Sequence, residues 1–277
     1  MTIKVCYFSP TGTTLAVATY LAEALSKRLS SSIEYAPYTL PHQRESLPQF
    51  GDDELLLWAT PVYAGRIPNK TLDYVHSAIL NPVHHEKHIP AIALVTFGNR
   101  AYDNALAELS GLLQEGGMQM LGAAAMVTRH SFSDTLGAGR PNEEDLSQLD
   151  RFASQVVERM KGQWRGSLQV PGEAHPEKYY TPLKTNNAPA GFLKAKPSCN
   201  VERCSHCAKC VDLCPMGSIV WENGLPQFKG ICIKCQACRR GCPTGAIAFT
   251  DPDYRSHVAM IEQSYAAPKK SEFFVAE

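Results

Sequence analysis

The chain has 277 residues, of which 44% are hydrophobic and 19% charged, and its formal net charge is zero. This composition is typical of a globular protein with one large domain or two smaller ones, and the charge balance excludes a general affinity for nucleic acid or anionic membranes. No apolar run approaches the roughly 20 residues that cross a bilayer, and the N-terminus lacks the apolar stretch of a secretory signal. We therefore expect a cytoplasmic protein whose thiols stay reduced.

Residues 1–162 alternate between buried strand patterns and helical patterns. In residues 13–30 apolar side chains recur every three or four positions, which is the period of a helix. The same criteria predict strands at 3–8, 33–36, 54–61, 89–98 and 118–127, and helices at 13–30, 70–80, 106–113 and 144–160. Strands that alternate with helices predict a parallel sheet that is covered by helices on both faces.

The alternation ends near residue 161. Residues 163–198 are rich in proline and lack apolar periodicity, so we predict a linker there. Its apolar side chains are too many for a free tether, so we expect it to lie across the preceding domain and to hold the following one in place. These side chains are Leu168, Val170, Tyr179, Tyr180, Leu183, Phe192 and Leu193. A cysteine-rich segment spans 199–250, and the tail at 251–277 is predicted to contain one helix and a loose end.

The cysteine-rich segment contains an internal repeat. The stretches CSHCAKCVDLCPMGSI, from Cys204, and CIKCQACRRGCPTGAI, from Cys232, share the spacing C-x2-C-x2-C-x3-C-P. This spacing is typical of bacterial ferredoxins with two iron–sulfur clusters, in which the fourth cysteine of each box is a ligand of the other cluster. The alternative is a pair of zinc sites, since C-x2-C elements also bind zinc.

The ferredoxin pattern assigns the cysteines to two 4Fe-4S clusters. The predicted ligands of the first cluster are Cys204, Cys207, Cys210 and Cys242, and those of the second are Cys232, Cys235, Cys238 and Cys214. Two further cysteines, Cys6 and Cys199, lie outside the boxes. We expect each of them to be a small buried apolar residue rather than a ligand.

A loop rich in hydroxyl groups, SPTGTT, follows the first predicted strand and begins the first helix. Glycine allows the backbone N–H groups to face an anion, and the helix dipole adds to the attraction. The loop lacks the lysine of a nucleotide-binding P-loop, and the GxGxxG pattern of dinucleotide folds is absent. Hydroxyls without a nearby charge suit the phosphate monoester of FMN. The alternative is an ordinary helix cap.

Two more unusual loops follow the third and fourth predicted strands, at 60–68 (TPVYAGRIP) and 97–106 (FGNRAYDNAL). In a sheet of order 2-1-3-4-5, the carboxyl ends of strands one and three form the crevice in which ligands bind. The three loops are therefore expected to converge. Tyr63 and Tyr102 are expected to flank a flat ring by stacking.

Residues 1–162 resemble a flavodoxin in the SPTGTT and GNRAY motifs, and the chain as a whole resembles the flavodoxin–ferredoxin fusion proteins of anaerobes. The resemblance implies an α/β fold with a five-stranded parallel sheet of order 2-1-3-4-5, followed by a small α+β ferredoxin-like domain at 199–250. It also implies FMN-binding residues at three loops. They are Ser9, Thr11, Gly12, Thr13, Thr14, Thr60, Pro61, Val62, Tyr63, Ala64, Gly65, Arg66, Gly98, Asn99, Arg100 and Tyr102.

Two functions are compatible with this pattern. In the first, the protein transfers electrons between one-electron carriers and FMN through the clusters, with a ferredoxin-like protein or a reductase as its partner. In the second, it is an oxidoreductase that reduces a small organic acceptor bound over the flavin. The long loop at 129–141 would cap such an acceptor. Its start, TRHSF at 128–132, is compatible with an ordinary surface loop or with contacts from Arg129 and His130 to the acceptor or the flavin.

Two further patterns are weaker indications of a binding site. HHEKH at 84–88 is compatible with a metal site or with an ordinary polar turn. Lys234, Arg239 and Arg240 surround the second cysteine box, where they would form a solvated face or a docking patch for an acidic redox partner.

Overall fold

A parallel sheet forms the centre of the first domain. The computed structural model describes residues 1–81, 88–162 and 168–276, so all of the HHEKH motif except His88 lies outside the described residues. The five parallel strands are β1 (Thr2–Tyr7), β2 (Ser32–Pro37), β3 (Glu54–Pro61), β4 (Pro90–Phe97) and β5 (Gln119–Val127). Their order, β2-β1-β3-β4-β5, confirms the predicted flavodoxin-like topology.

Four helices cover the two faces of this sheet: α1 (Thr13–Leu29), α2 (Leu72–Ile79), α3 (Ala105–Glu115) and α4 (Glu143–Lys161). One face buries Leu21 of α1 and Phe152 of α4, and the other face buries Val75 of α2 and Leu109 of α3. The strands are buried on both sides because helices cover both. Within the described ranges, none of the helices is long and apolar enough to cross a membrane.

The C-terminal tail adds an antiparallel strand to the five predicted parallel strands, which corrects the expectation of a loose end. Helix α7 (Pro252–Ser264) precedes strand β10 (Glu272–Val275), which pairs antiparallel with β5. Phe273 and Val275 pack on the α1/α4 face, whereas Phe274 packs on the opposite face. The strand forms because β5 would otherwise present an unpaired edge, and the tail supplies both backbone partners and apolar side chains for it.

The cysteine-rich segment folds as two similar halves. Short strands β6 (Ser198–Cys199) and β9 (Ile247–Ala248) pair with each other, and β7 (Ile219–Glu222) pairs with β8 (Leu225–Phe228). Each cysteine box contains one helical turn, α5 (Lys209–Asp212) or α6 (Ala237–Arg240). Before each turn two residues have positive φ, at matching positions of the repeat: His206 and Ala208, then Lys234 and Gln236. The repeat in sequence is therefore a repeat in backbone conformation.

The described part of the predicted linker, 168–198, contacts both domains, as its apolar composition predicts. Leu168 is buried in the core beside α3, and Tyr180 N–H donates to Ala64 O at 2.8 Å. At its other end Phe192 packs with Phe249 and Tyr254. Leu193 differs from the expectation, since it is 81% exposed.

Candidate functional site

A cavity of about 470 Å³ lies between the carboxyl edge of the sheet and the second cysteine box. Nine of the sixteen residues predicted to bind FMN line it: Thr11, Thr13, Thr14, Pro61, Val62, Tyr63, Ala64, Gly98 and Arg100. The opposite wall comes from the linker and from the second box and includes Tyr179, Tyr180, Ile231, Cys232, Ile233 and Lys234. The cavity thus joins the two parts of the chain.

The hydroxyls of the SPTGTT loop divide into two groups. Ser9 Oγ accepts a hydrogen bond from Leu15 N–H at 3.0 Å, and Thr14 shares a buried hydrogen bond of 2.7 Å with Thr96. Both therefore organise the loop. Thr11 and Thr13 line the cavity, and among the described residues their hydroxyls have no hydrogen-bond partner. The cap interpretation therefore applies to Ser9, whereas Thr11 and Thr13 are available to a ligand.

Gly12 is the N-cap residue of α1 and does not itself line the cavity. Its φ of 82° lies in the left-handed region that favours glycine, and α1 has no side-chain cap at this residue. A Cβ added to Gly12 would meet no atom within 4 Å. The backbone and the positive end of the 17-residue helix therefore face open space at the loop, which fits a phosphate group.

Tyr63 lies at the junction between the sheet and the second box. Its backbone forms a tight turn with Arg66, and its ring packs edge-on against Phe8 at a centroid distance of 6.4 Å. Burial raises the pKa of Tyr63 well above its usual value, and the nearby Cys235 and Cys232 raise it further. The side chain is therefore a neutral hydroxyl that touches both the cavity and the surroundings of the second box.

Three residues of the same loop have structural roles and do not line the cavity. Thr60 and Gly65 are buried behind it. Arg66 forms an ion pair with the buried Glu108 and lies over the ring of Tyr179, with 4.5 Å from Cζ to the ring centroid. Glu108 also accepts from Ile67 N–H at 3.1 Å, so Arg66 balances a buried charge that holds the loop.

In the 97–106 loop, Gly98 and Arg100 line the cavity. A Cβ at Gly98 would lie 2.5 Å from the Cα of His130, so glycine permits these two chain segments to meet. Arg100 pairs with Asp103 and stacks on Tyr180 at 4.1 Å from the ring centroid. The linker tyrosines therefore stack on arginines that project from the two predicted flavin loops.

Asn99 and Tyr102 are away from the cavity wall, contrary to the predicted ring contacts. Asn99 donates to Tyr265 O at 2.7 Å and accepts from Lys269 N–H at 2.9 Å. Tyr102 is buried against Phe97 and donates its hydroxyl proton to Glu272 Oε2 at 2.8 Å. Both side chains therefore hold the C-terminal tail, whose return to the sheet the sequence did not predict.

Several cavity residues were not predicted as flavin contacts. Tyr179 and Tyr180 were interpreted only as apolar linker residues, although two adjacent aromatics in a proline-rich segment are themselves a signal of a packed contact. Lys70, which was not predicted either, lines the cavity together with Arg129, which was expected to contact an acceptor or the flavin. Within the described chain neither side chain has a hydrogen-bond or ion-pair partner. The described wall contains no aspartate or glutamate, so its charge is positive.

His130, which the sequence placed near a substrate or the flavin, also lines the cavity. Its Nδ1 accepts from Phe132 N–H at 3.1 Å, which places the proton of the neutral ring on Nε2. Burial lowers the pKa of His130 to about 3, and the nearby His257 and Arg100 lower it further. The ring is therefore a neutral hydrogen-bond donor at neutral pH.

The eight box cysteines form two groups that cross between the boxes. Cys204, Cys207, Cys210 and Cys242 line one pocket, and Cys214, Cys232, Cys235 and Cys238 line another. These are the two groups that the repeat predicts. The fourth cysteine of each box, which belongs to the group of the other box, accepts a backbone hydrogen bond at an equivalent place. Ser218 N–H donates to Cys214 Sγ and Ala246 N–H donates to Cys242 Sγ, both at 3.3 Å. Such N–H donors stabilise thiolates, so each donor set fits a 4Fe-4S cluster.

The two cysteine pockets differ in their exposure. In the second, Cys235 and Cys238 are each 8% exposed, and burial raises the pKa of Cys238 to about 12. In the first, Cys207 is exposed, and a hydrogen bond from Lys209 N–H is the main cause that lowers its pKa. No three His, Cys, Asp or Glu side chains in the described ranges are arranged to hold a single metal ion.

The basic residues of the second box form hydrogen bonds and ion pairs within the chain, where the sequence left open a solvated face or a docking patch. Arg240 donates to His130 O at 3.0 Å and to Ser133 O at 2.6 Å, and it also pairs with Asp134. Arg239 pairs with Asp134 at 2.7 Å. Lys234 is buried and donates to Leu193 O and Cys232 O. These charges hold the cysteine segment against the 129–141 loop and the linker.

Comparisons with known proteins agree with the two-part organisation. The model of a 4Fe-4S binding domain matches residues 201–217 and 229–245. Two uncharacterized ferredoxins of Methanocaldococcus jannaschii are 39% identical over 51 residues and 36% identical over 55 residues. These matches cover 17% and 19% of this chain, and they span 66% and 33% of the two ferredoxins.

Among solved structures, a flavodoxin from the domain Archaea matches with a TM-score of 0.40 and 14% identity, over 58% of this chain and 100% of the flavodoxin. The sheet order by itself defines a flavodoxin-like α/β domain. The matched boxes define a ferredoxin-type 4Fe-4S segment. The chain thus combines a flavodoxin-like domain with a ferredoxin-like segment, as in a flavodoxin–ferredoxin fusion.

Proposed function

We propose that the protein transfers electrons between redox carrier proteins and a non-covalently bound FMN through two 4Fe-4S clusters. One observation carries the proposal: Cys232 lines both the second cysteine pocket and the large cavity. A cluster held by Cys232 would therefore adjoin a flavin held in the cavity. Electron exchange between the two would then take place within one molecule.

The residues of the cavity fit FMN. Thr11, Thr13 and the N-terminus of α1 offer hydrogen-bond donors to one phosphate group, with no lysine among them. Val62, Tyr63 and Ile233 offer apolar and aromatic surface to a flat ring. When bound, the flavin would supply the exchange between one-electron and two-electron transfer.

The chain's own residues would orient the flavin and exclude water from it. Tyr63 lines the cavity, and the apolar side chain of Ile233 lines both the cavity and the second cysteine pocket. His130 presents a neutral N–H donor beside Gly98. Among the described lining residues there is no carboxylate, whereas Lys70 and Arg129 are cationic.

The different exposures of the two cysteine pockets indicate the order in which electrons would pass between a partner protein, the two clusters and FMN. The first pocket includes the exposed Cys207, whereas the second is buried against the cavity. The first cluster would therefore be the contact point for a ferredoxin-like donor or acceptor, and the second would be the relay to FMN. The free thiols of the chain suit a reducing, cytoplasmic environment.

The test is a rapid-mixing experiment on anaerobic, fully loaded protein with a one-electron donor. The clusters should be reduced first, and FMN reduction should follow at a rate that does not depend on protein concentration. A variant with Cys214→Ala, which removes a predicted ligand of the second cluster, is the control for direct reduction of the flavin. A rate that rises in proportion to protein concentration would reject the intramolecular relay.

A second candidate function is the reduction of an organic acceptor bound beside the flavin. It is favoured by Lys70 and Arg129, two cations that have no partner and no carboxylate beside them on the wall among the described residues. They would attract an anionic acceptor. Titration of the FMN-loaded protein with small carboxylates would test it, with flavin absorbance as the measure of binding. Binding that Arg129→Gln abolishes would favour the reductase, whereas no spectral change with any carboxylate would favour the pure electron carrier.

A further inference from the structure

The first cysteine pocket contains a fifth cysteine. Cys199 lines the same pocket as the four predicted ligands of the first cluster. Its thiol donates to Asn200 O at 3.7 Å, and the residue is only partly exposed. The sequence predicted a buried apolar residue outside the boxes, but the fold brings this sulfur to the side of a predicted ligand.

The backbone holds Cys199 in this position from both sides. Cys199 pairs with Ile247 in the β6–β9 ladder, and Asn200 N–H donates to Ala246 O at 2.8 Å. The Asn200 side chain accepts from Arg203 N–H at 3.2 Å, which fixes the short path from Cys199 to Cys204. The fold therefore places Cys199 beside the same pocket as Cys204.

The second cysteine pocket has no such additional thiol among its described residues. Five residues before the second box the chain has Gln227, where the first box has Cys199. The two halves of the repeat share their spacing and their positive-φ residues, so they differ at this point in the number of available sulfurs. The second box can therefore serve as the control for the effect of the additional cysteine in the first.

We propose that Cys199 is an exchangeable ligand of the first cluster, which binds the iron atom of Cys204 when that iron–sulfur bond breaks. The exchange breaks the bond from iron to the Cys204 sulfur and forms one from iron to the Cys199 sulfur. The proton of the Cys199 thiol passes to the Cys204 thiolate, and no electron is transferred. The inference rests on the cluster assignment in the proposed function.

The first experiment uses matched variants of the full chain, prepared anaerobically. Wild-type protein and Cys204→Ala should each contain about eight iron atoms, because Cys199 replaces the lost ligand. Cys232→Ala, at the equivalent place in the second box, should contain about four, as should the double variant Cys199→Ala/Cys204→Ala. EPR of the reduced proteins identifies which cluster is present, and far-UV circular dichroism shows that each variant is folded.

The outcomes separate this inference from the proposed function. About four iron atoms in Cys204→Ala, with the second cluster and FMN retained, would overturn the role of Cys199 but not the cluster assignment. Wild-type protein without iron would overturn both.

A second measurement keeps all eight predicted ligands in place and so does not depend on the folding of a ligand variant. In Cys199→Ala, the first cluster should be lost several-fold faster than in wild-type protein during incubation with an iron chelator. The second cluster of the same molecules should be lost at an unchanged rate. Equal rates of loss for the first cluster in the two proteins would overturn the proposal.

Discussion

The two cysteine boxes have the same spacing but different surroundings. The second box packs against the cavity, Tyr63 and the 129–141 loop, whereas the first box keeps Cys207 exposed and has Cys199 as an additional neighbour. Spacing accounts for what both boxes have in common, namely a set of thiols that fits a cluster. Their surroundings account for the difference, because burial beside the proposed flavin site suits an inner relay and exposure suits an outer contact.

The largest effect on FMN reduction is expected from replacing the fourth cysteine of either box, Cys214 or Cys242, each of which is a predicted ligand of the other box's cluster. Cys214→Ala should remove the second cluster, and FMN reduction by a one-electron donor should fall to the background rate of direct reaction. Cys242→Ala should damage the first cluster and leave the second largely intact, so part of the fast phase should remain. Stopped-flow absorbance and EPR measure both effects. The opposite pattern of losses would reverse the assignment of inner and outer clusters.

The next largest effect is expected on FMN binding, from changes in the SPTGTT loop, which does not contact either cysteine pocket. Thr11→Ala combined with Thr13→Ala should remove two hydrogen bonds to a charged group, each worth about 1.5–3 kcal/mol. FMN should then bind at least about a hundredfold more weakly, with cluster content unchanged. Thr19→Ala, a threonine of α1 far from the loop, is the control in calorimetric titration. Release of FAD instead of FMN from the wild-type protein would contradict the assignment.

A smaller effect, on the free energy of unfolding, is expected from the contact between the second box and the 129–141 loop. Arg240 is 13% exposed and donates to three backbone carbonyls, so Arg240→Ala should lower the free energy of unfolding by about 2 kcal/mol and slow FMN reduction. Arg239 is 29% exposed, and its ion-pair partner among the described residues is the exposed Asp134, so Arg239→Ala should cost less than about 1 kcal/mol. Urea unfolding compares the two variants, and equal losses would show that the contact does not depend on Arg240.

The smallest effect distinguishes a structural residue from a flavin ligand. Asn99→Gly removes the hydrogen bonds to the tail but tolerates the φ of 64°, so stability should fall by about 1 kcal/mol. FMN affinity should stay the same, because Asn99 lies outside the cavity wall. Weaker FMN binding at unchanged stability would restore the role that the sequence predicted for this residue.

Local patterns were sufficient to predict the parallel sheet, its helices and the two groups of cysteines. The strands of the sheet are buried on both faces, so each strand is recognisable by itself, and the repeat places the cysteines by spacing alone. The roles of Asn99 and Tyr102 were not predictable, because their partners lie more than 160 positions away in the tail. Tyr179 and Tyr180 were missed for a similar reason, since nothing near them in sequence shows which arginines they stack on.

The return of the tail to the sheet as β10 makes the ferredoxin-like segment an insertion between two pieces of one domain. Both ends of the segment are tied to the same sheet, through Leu168 on one side and Phe273 on the other. A segment tethered at both ends samples far less space than one that hangs from a single linker, so its effective concentration at the docking surface is higher. A break in the linker would leave the two fragments joined by the pairing of β10 with β5 rather than separate them.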